Sequence, residues 1–139
     1  MSSSVLITYS MSRPFYGLNV PIPIQSAYLR DYAQRNDMAF RLPITEVCQG
    51  ASYYCLSNIF RSLDNHANFA AVSVLCLPLK DDRVYSGLMS LVSSKADVRF
   101  HFPLEGFVGD LDDLQRWRRQ FLLMTDYRGR VTSWTKFNK

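Results

Sequence analysis

The stretch LITYSMSRPFYG, residues 6–17, joins an apolar run to a polar exit, and this transition indicates the fold class. Its first half predicts a buried β-strand, because short apolar runs rich in β-branched and aromatic residues favour strands. The polar residues Ser10, Ser12 and Arg13 follow where that strand ends. They belong either to an ordinary exit loop or to the rim of a binding or catalytic site.

Three further strand-like segments follow along the chain: AFRLPITEV (39–47), FAAVSVLCL (69–77) and DVRFHFPL (97–104). The first of these contains Pro43, which has no N–H for a sheet and predicts an edge position or an irregular backbone. FAAVSVLCL is continuously apolar, as expected of a strand covered on both faces. The last segment alternates Phe100 with Arg99 and His101, which predicts a wetter side for the two basic residues.

Helical patterns separate these strands, at residues 23–36, 52–66, 81–95 and 110–127. Regular alternation of strands and helices predicts an α/β fold with a mostly parallel sheet. We expect a small, doubly wound sheet of the flavodoxin type, with strand order 2-1-3-4, helices on both faces and a C-terminal helix. Residues 1–127 are predicted to form one domain, and residues 128–139 a basic tail.

Composition excludes several classes of protein. The chain has 139 residues, of which 47% are apolar and 20% charged, a globular balance rather than a disordered one. No apolar run approaches the roughly 20 residues that span a bilayer, and the N-terminus lacks the basic region of a signal peptide. We therefore expect a cytoplasmic protein without a membrane partner.

Polar groups at the strand ends are the candidate site, because ligands of open parallel sheets bind outside the carboxyl ends of the strands. Arg13, Lys80 and Arg83 are cations that fit a phosphate or carboxylate, and Ser10 and Ser12 accompany them. Glu46 and Glu105 are the candidate catalytic acid or base. The alternative is a rim of mutually paired charges without a ligand.

No motif for a metal or a cofactor is present, and neither is predicted. The chain has no Walker A loop, no G-x-G-x-x-G and no G-x-S-x-G. Its two histidines, His66 and His101, lack the spacing of metal ligands.

The order of elements resembles the catalytic domain of serine recombinases, the resolvases and invertases. That family opens with a strand ending in Tyr-x-Arg-x-Ser, followed by a loop and a helix that begins with glutamine. Tyr9 and Gln25 match, but Met11 and Arg13 stand where the arginine and serine belong. The resemblance implies a resolvase-like fold whose catalytic residues are out of register.

A second resemblance is to the small "sporadic carbohydrate cluster" proteins of bacteria. It is carried by residues 17–36, LPITE (42–46), LPLKDDR (77–83) and FHFPLEG (100–106). The resemblance implies a place among genes for surface-polysaccharide sugars rather than a particular reaction. It also adds Gln25 to the predicted ligand-binding residues, and it includes Glu46, Arg83 and Glu105.

Two functions of different classes follow from these observations. The first is a role in bacterial surface-carbohydrate synthesis, in which the protein binds a sugar phosphate or nucleotide sugar; whether it is an enzyme is left open. The second is a non-catalytic resolvase-like module that contacts either nucleic acid or a partner enzyme, and nucleic acid is the less favoured of these partners.

The formal charge is +4, and basic residues concentrate from Arg116 onward. We further expect a homo-oligomer, because the last helix is too long and apolar to cover only its own sheet. Trp117, Trp134 and Phe137 are the candidate apolar patch for self-association or docking.

Overall fold

The structure is a computed structural model, which describes residues 4–12, 14–15, 17, 19–47 and 53–137, with the backbone alone from residue 126 onward. Its elements follow in this order: β1 (Val5–Met11), α1 (Ile22–Arg35), β2 (Ala39–Phe40), β3 (Ile44–Glu46), α2 (Tyr54–Ser62), β4 (His66–Ala70), α3 (Asp82–Val92), β5 (Asp97–Phe102), β6 (Phe107–Gly109) and α4 (Leu111–Phe137). Two short 3-10 turns, Val74–Cys76 and Pro103–Glu105, follow β4 and β5.

The sheet has the order β2-β1-β4-β5-β6, with β3 also paired to β1. All pairs are parallel except β5 with β6. β2 pairs with Val5 and Leu6, and β3 with Tyr9 to Met11, so the two form successive pieces beside β1. Pro43 lies in the gap between the two pieces, as its missing N–H predicts. The predicted order 2-1-3-4 and the α/β fold class are therefore confirmed.

Helices cover both faces of the sheet. Successive side chains of β5 face opposite sides. Phe60 of α2 packs edge-on against Phe100, with ring centroids 6.0 Å apart, while Tyr32 of α1 packs against His101 at 5.6 Å. α1 and α2 therefore lie on opposite faces. Phe69 of β4 completes an aromatic cluster with Phe60 and Phe100 in the core on the α2 side.

The third strand lies earlier in the chain and is shorter than predicted, since β4 shares only Phe69 and Ala70 with the predicted segment 69–77. β4 ends at Ala70, and the apolar residues after it form the first 3-10 turn. The backbone leaves the sheet because the Ser73 hydroxyl accepts a hydrogen bond from Leu75 N, which closes a tight turn. The run is buried, as predicted, but in the crossover at the carboxyl ends of the strands rather than within a strand.

Three other differences concern the C-terminal half. β6 is an antiparallel strand that no sequence pattern announced, and Gly106, with φ of +64°, allows the turn into it. His101 is buried, whereas alternation placed it on the wetter side with Arg99; only Arg99 is exposed. α4 is longer than the helix predicted at residues 110–127: it has 27 residues, so at about 1.5 Å per residue it is about 40 Å long.

Within the described residues, none of the helices has the length and apolar character needed to cross a bilayer.

Candidate functional site

Glu46 lies at the carboxyl end of β3 with its carboxylate buried. Its Oε1 accepts hydrogen bonds from Tyr9 Oη at 2.9 Å and from Leu56 N at 3.3 Å, and its Oε2 accepts one from Cys55 N at 2.7 Å. Cys55 and Leu56 belong to the first turn of α2, where backbone N–H groups have no partner within the helix. The carboxylate therefore caps α2, with a negative charge at the positive end of the helix dipole.

Two of the predicted ligand-binding residues, Ser10 and Ser12, lie at the end of β1. The buried Ser10 shares a hydrogen bond of 2.9 Å with the Thr45 hydroxyl. Ser12 is exposed, and its backbone N–H and hydroxyl both donate to Glu46 O, at 3.1 and 3.3 Å. These contacts join β1 to β3, and only the Ser12 hydroxyl also faces solvent.

Gln25 is buried at the start of α1 and clamps the main chain of Met11. Its Nε2 donates to Met11 O at 2.9 Å and to Val20 O at 2.7 Å, and its Oε1 accepts from Met11 N at 3.3 Å. With both amide hydrogens donated and its oxygen accepting, Gln25 ties together Met11 and Val20 at the two ends of the loop between β1 and α1. Arg13, the remaining candidate of this loop, lies outside the described residues.

Glu105 forms a second cluster at the same edge of the sheet. Its Oε2 accepts a hydrogen bond from Ser73 Oγ and its Oε1 accepts one from Val74 N, both at 2.7 Å. Unlike Glu46, Glu105 is exposed. It too holds the first backbone N–H of a helical turn, the 3-10 turn at Val74–Cys76.

Lys80 and Arg83 are exposed near the start of α3. The two acids between them are engaged: Asp81 Oδ1 accepts from Val84 N at 3.2 Å, and Asp82 is ion-paired with Arg118 of α4. Four carboxylates of this edge therefore accept N–H hydrogen bonds: those of Glu46, Asp81, Asp82 and Glu105. The cationic side chains of Lys80 and Arg83 are displayed to solvent beside them.

A groove of about 300 Å³ lies where α4 crosses this edge, and sequence reasoning did not identify it. It is lined by Leu75, Glu105, Trp117, Gln120, Phe121, Met124 and Thr125. The rings of Trp117 and Phe121 stack at 5.4 Å with 12° between their planes. The spacing of the two aromatics, four residues apart on one helix, is the sequence signal that could have indicated this surface. We call this feature the aromatic groove.

The structure thus brings Ser10, Ser12, Gln25 and Glu46 to the end of β1, and Glu105 to the aromatic groove, while Lys80 and Arg83 lie at the start of α3. In the part of the chain that is described, no group of three or more His, Cys, Asp or Glu side chains is arranged to hold a metal ion. Comparison of the chain with models of known protein families, with curated proteins and with solved structures gave no match.

Proposed function

We propose that this protein binds a sugar phosphate or nucleotide sugar at the carboxyl edge of its sheet, in the cytoplasm of a bacterium that makes surface polysaccharide. The aromatic groove is the observation that supports this most. A sugar ring has an apolar face that stacks on aromatic rings and hydroxyl groups that need hydrogen-bond partners. Trp117 and Phe121 provide the first, and Glu105, Gln120 and Thr125 the second. Ligand sites commonly combine an apolar lining with a few polar groups in this way.

Charge at the same edge suits the phosphate of such a ligand. Asp82 is neutralised by Arg118, whose Nε also donates to Leu79 O at 2.9 Å. Lys80 follows Leu79 directly, so it lies beside α4, the helix that forms one wall of the aromatic groove. Lys80 and Arg83 are therefore the proposed phosphate-binding side chains.

The arrangement favours binding over acid–base chemistry by the two glutamates. Glu46 is buried and accepts three hydrogen bonds, and Glu105 accepts two. Each oxygen of both carboxylates therefore already accepts a hydrogen bond that holds the fold together. A catalytic role for Glu46 or Glu105 stays a prediction, and the proposed activity is ligand binding.

A thermal-shift screen of sugar phosphates and nucleotide sugars tests this proposal. A ligand present at about 100 times its dissociation constant stabilises the fold by about 2.7 kcal/mol. The shift should disappear in Trp117→Ala and persist in Leu123→Ala, since Leu123 is 69% exposed on the same helix outside the aromatic groove. Absence of any shift across the screen, or an equal shift in Trp117→Ala, contradicts the proposal.

A second candidate function is partner binding through α4, including self-association. Leu123 and Met124 are neighbours in sequence and are 69% and 58% exposed, which gives α4 apolar surface for a partner to cover. Nucleic-acid binding is less favoured, because Arg116 and Arg118 are paired with Asp113 and Asp82. Light scattering of wild type and Leu123→Glu tests self-association: a monomeric wild type contradicts it.

A further inference from the structure

A cavity of about 690 Å³ lies at the opposite edge of the sheet, where the strands begin. Its polar lining includes Arg41, Asp64, His66, Asn68, Asp97 and Arg99. The cavity shares no lining residue with the aromatic groove. Its volume falls within the range of about 300 to 1,000 Å³ that small-molecule sites occupy. We call it the amino-edge cavity.

Asn68 is held in one orientation by a partly buried hydrogen-bond chain. His101 Nε2 lies 2.9 Å from Asn68 Oδ1, and His101 Nδ1 lies 2.7 Å from Tyr32 Oη. An amide oxygen only accepts, so Nε2 carries the ring hydrogen, and Nδ1 accepts from the tyrosine hydroxyl. Burial, aided by the Arg99 charge, lowers the pKa of His101 to about 4 and keeps the ring neutral. With its oxygen occupied, Asn68 has its two amide hydrogens to offer to the cavity.

Two arginines of the amino-edge cavity, Arg41 and Arg99, can bind an anion because neither is held by a close ion pair within the described residues. Asp97 is shared between His66 Nδ1 at 3.9 Å and Arg99 Nε at 4.0 Å, both near the limit of an ion pair. Among the described residues no ion pair forms at the guanidinium of Arg41. Arginine binds phosphate and carboxylate oxygens in a fixed, forked geometry.

We propose that the amino-edge cavity is a second ligand site, which binds a small hydroxylated oxyanion. Arg41, Arg99 and the Asn68 amide donate to its phosphate or carboxylate group. Asp64 and Asp97 accept hydrogen bonds from its hydroxyl groups. Because the two sites share no residue, this inference stands independently of ligand binding at the aromatic groove.

Isothermal titration of the full chain with inorganic phosphate, and separately with gluconate, tests the inference at constant ionic strength. We expect a dissociation constant of about 1 mM or tighter for at least one of the two anions. Binding of phosphate alone identifies a phosphate ligand, and binding of gluconate identifies a carboxylate ligand. Failure of both anions to bind contradicts the proposal.

Three variants locate that binding. Arg41→Gln and Arg99→Gln should each weaken it by about tenfold or more. Asn68→Asp keeps an oxygen that accepts from His101 but replaces the amide donors with a second acceptor, so it should weaken binding as well. Arg35→Gln is the matched control, since Arg35 is an exposed arginine paired with Asp31 on α1. Equal affinity in the Arg41→Gln/Arg99→Gln double variant, with its circular dichroism unchanged, overturns the proposal.

Discussion

Glu46 holds the start of α2 against the end of β1, because its Oε2 accepts a hydrogen bond of 2.7 Å from the backbone N–H of Cys55. The other carboxylate oxygen accepts from Tyr9 of β1. One buried side chain thereby joins a central strand, an edge strand and a helix. A charged residue at a strand end, which sequence reasoning favours as a catalytic group, here has a clear structural task.

Removing this charge should destabilise the fold. Glu46→Gln presents an amide NH₂ to donors that need an acceptor, so we expect a loss of about 1 to 3 kcal/mol in the free energy of unfolding, measured by urea denaturation. Glu105→Gln is the matched control, since Glu105 caps a helical turn in the same way but is exposed. Equal losses in the two variants would show that burial of Glu46 does not matter.

Gln25 should be equally sensitive to substitution. Gln25→Ala leaves Met11 N–H, Met11 O and Val20 O without their partner in a buried site, and we expect a loss of about 2 to 4 kcal/mol. Gln34→Ala, at an exposed position of the same helix, should change stability by less than about 0.5 kcal/mol. A small effect of Gln25→Ala contradicts its role as a clamp.

Two tyrosine hydroxyls should respond in opposite directions. In the described part of the chain Tyr85 Oη is buried without a hydrogen-bond partner, whereas Tyr32 Oη donates to His101. Tyr85→Phe should leave stability unchanged or raise it by about 1 kcal/mol, and Tyr32→Phe should lower it by about 1 kcal/mol. The guanidinium carbon of Arg118 lies 4.1 Å from the centroid of the Tyr85 ring. Phenylalanine keeps this ring, so Tyr85→Phe should keep the stacking contact. A larger loss from Tyr85→Phe than from Tyr32→Phe is the contrary outcome.

Acid should weaken the fold through His101. The pKa of His101 is lowered from 6.5 to about 4 by burial, so between these values the unfolded chain binds more protons than the folded one. The stability that His101 contributes is therefore complete above pH 6.5 and is lost as the pH falls toward 4. The loss amounts to at most about 3 kcal/mol.

Urea denaturation across that pH range measures this loss. The pH dependence should flatten in His101→Gln and persist in His66→Gln, because the His66 side chain is 78% exposed. An unchanged slope in His101→Gln contradicts the assignment to His101.

The sheet could be predicted because its signals are local. β1 is an apolar run, β5 alternates apolar with polar residues, and Pro43 predicted the break between β2 and β3. The residues after Ala70 were wrongly predicted to continue a strand, because burial in a crossover and burial in a strand select the same apolar side chains. The hydrogen bonds of Ser73 distinguish the two: one closes the local turn at Leu75, and the other reaches Glu105, 32 residues along the chain.

The positions of the candidate site residues could be predicted from the topology, but their contacts could not. Parallel topology alone brings Glu46, Lys80 and Glu105 to one edge of the sheet. The hydrogen bonds that turn Glu46 into a helix cap depend on where α2 begins relative to β1. The burial of His101 depends on Tyr32 of α1, 69 residues away along the chain.

Amide chemical-shift mapping tests ligand binding at the carboxyl edge most directly. The full chain is titrated with UDP-glucose, a nucleotide sugar. We expect saturable shifts at Leu75, Glu105, Trp117 and Phe121, around the aromatic groove, and at Arg83 beside it. The absence of saturable shifts, or shifts confined to Asn68 and Arg99 at the opposite edge, would contradict nucleotide-sugar binding at the aromatic groove.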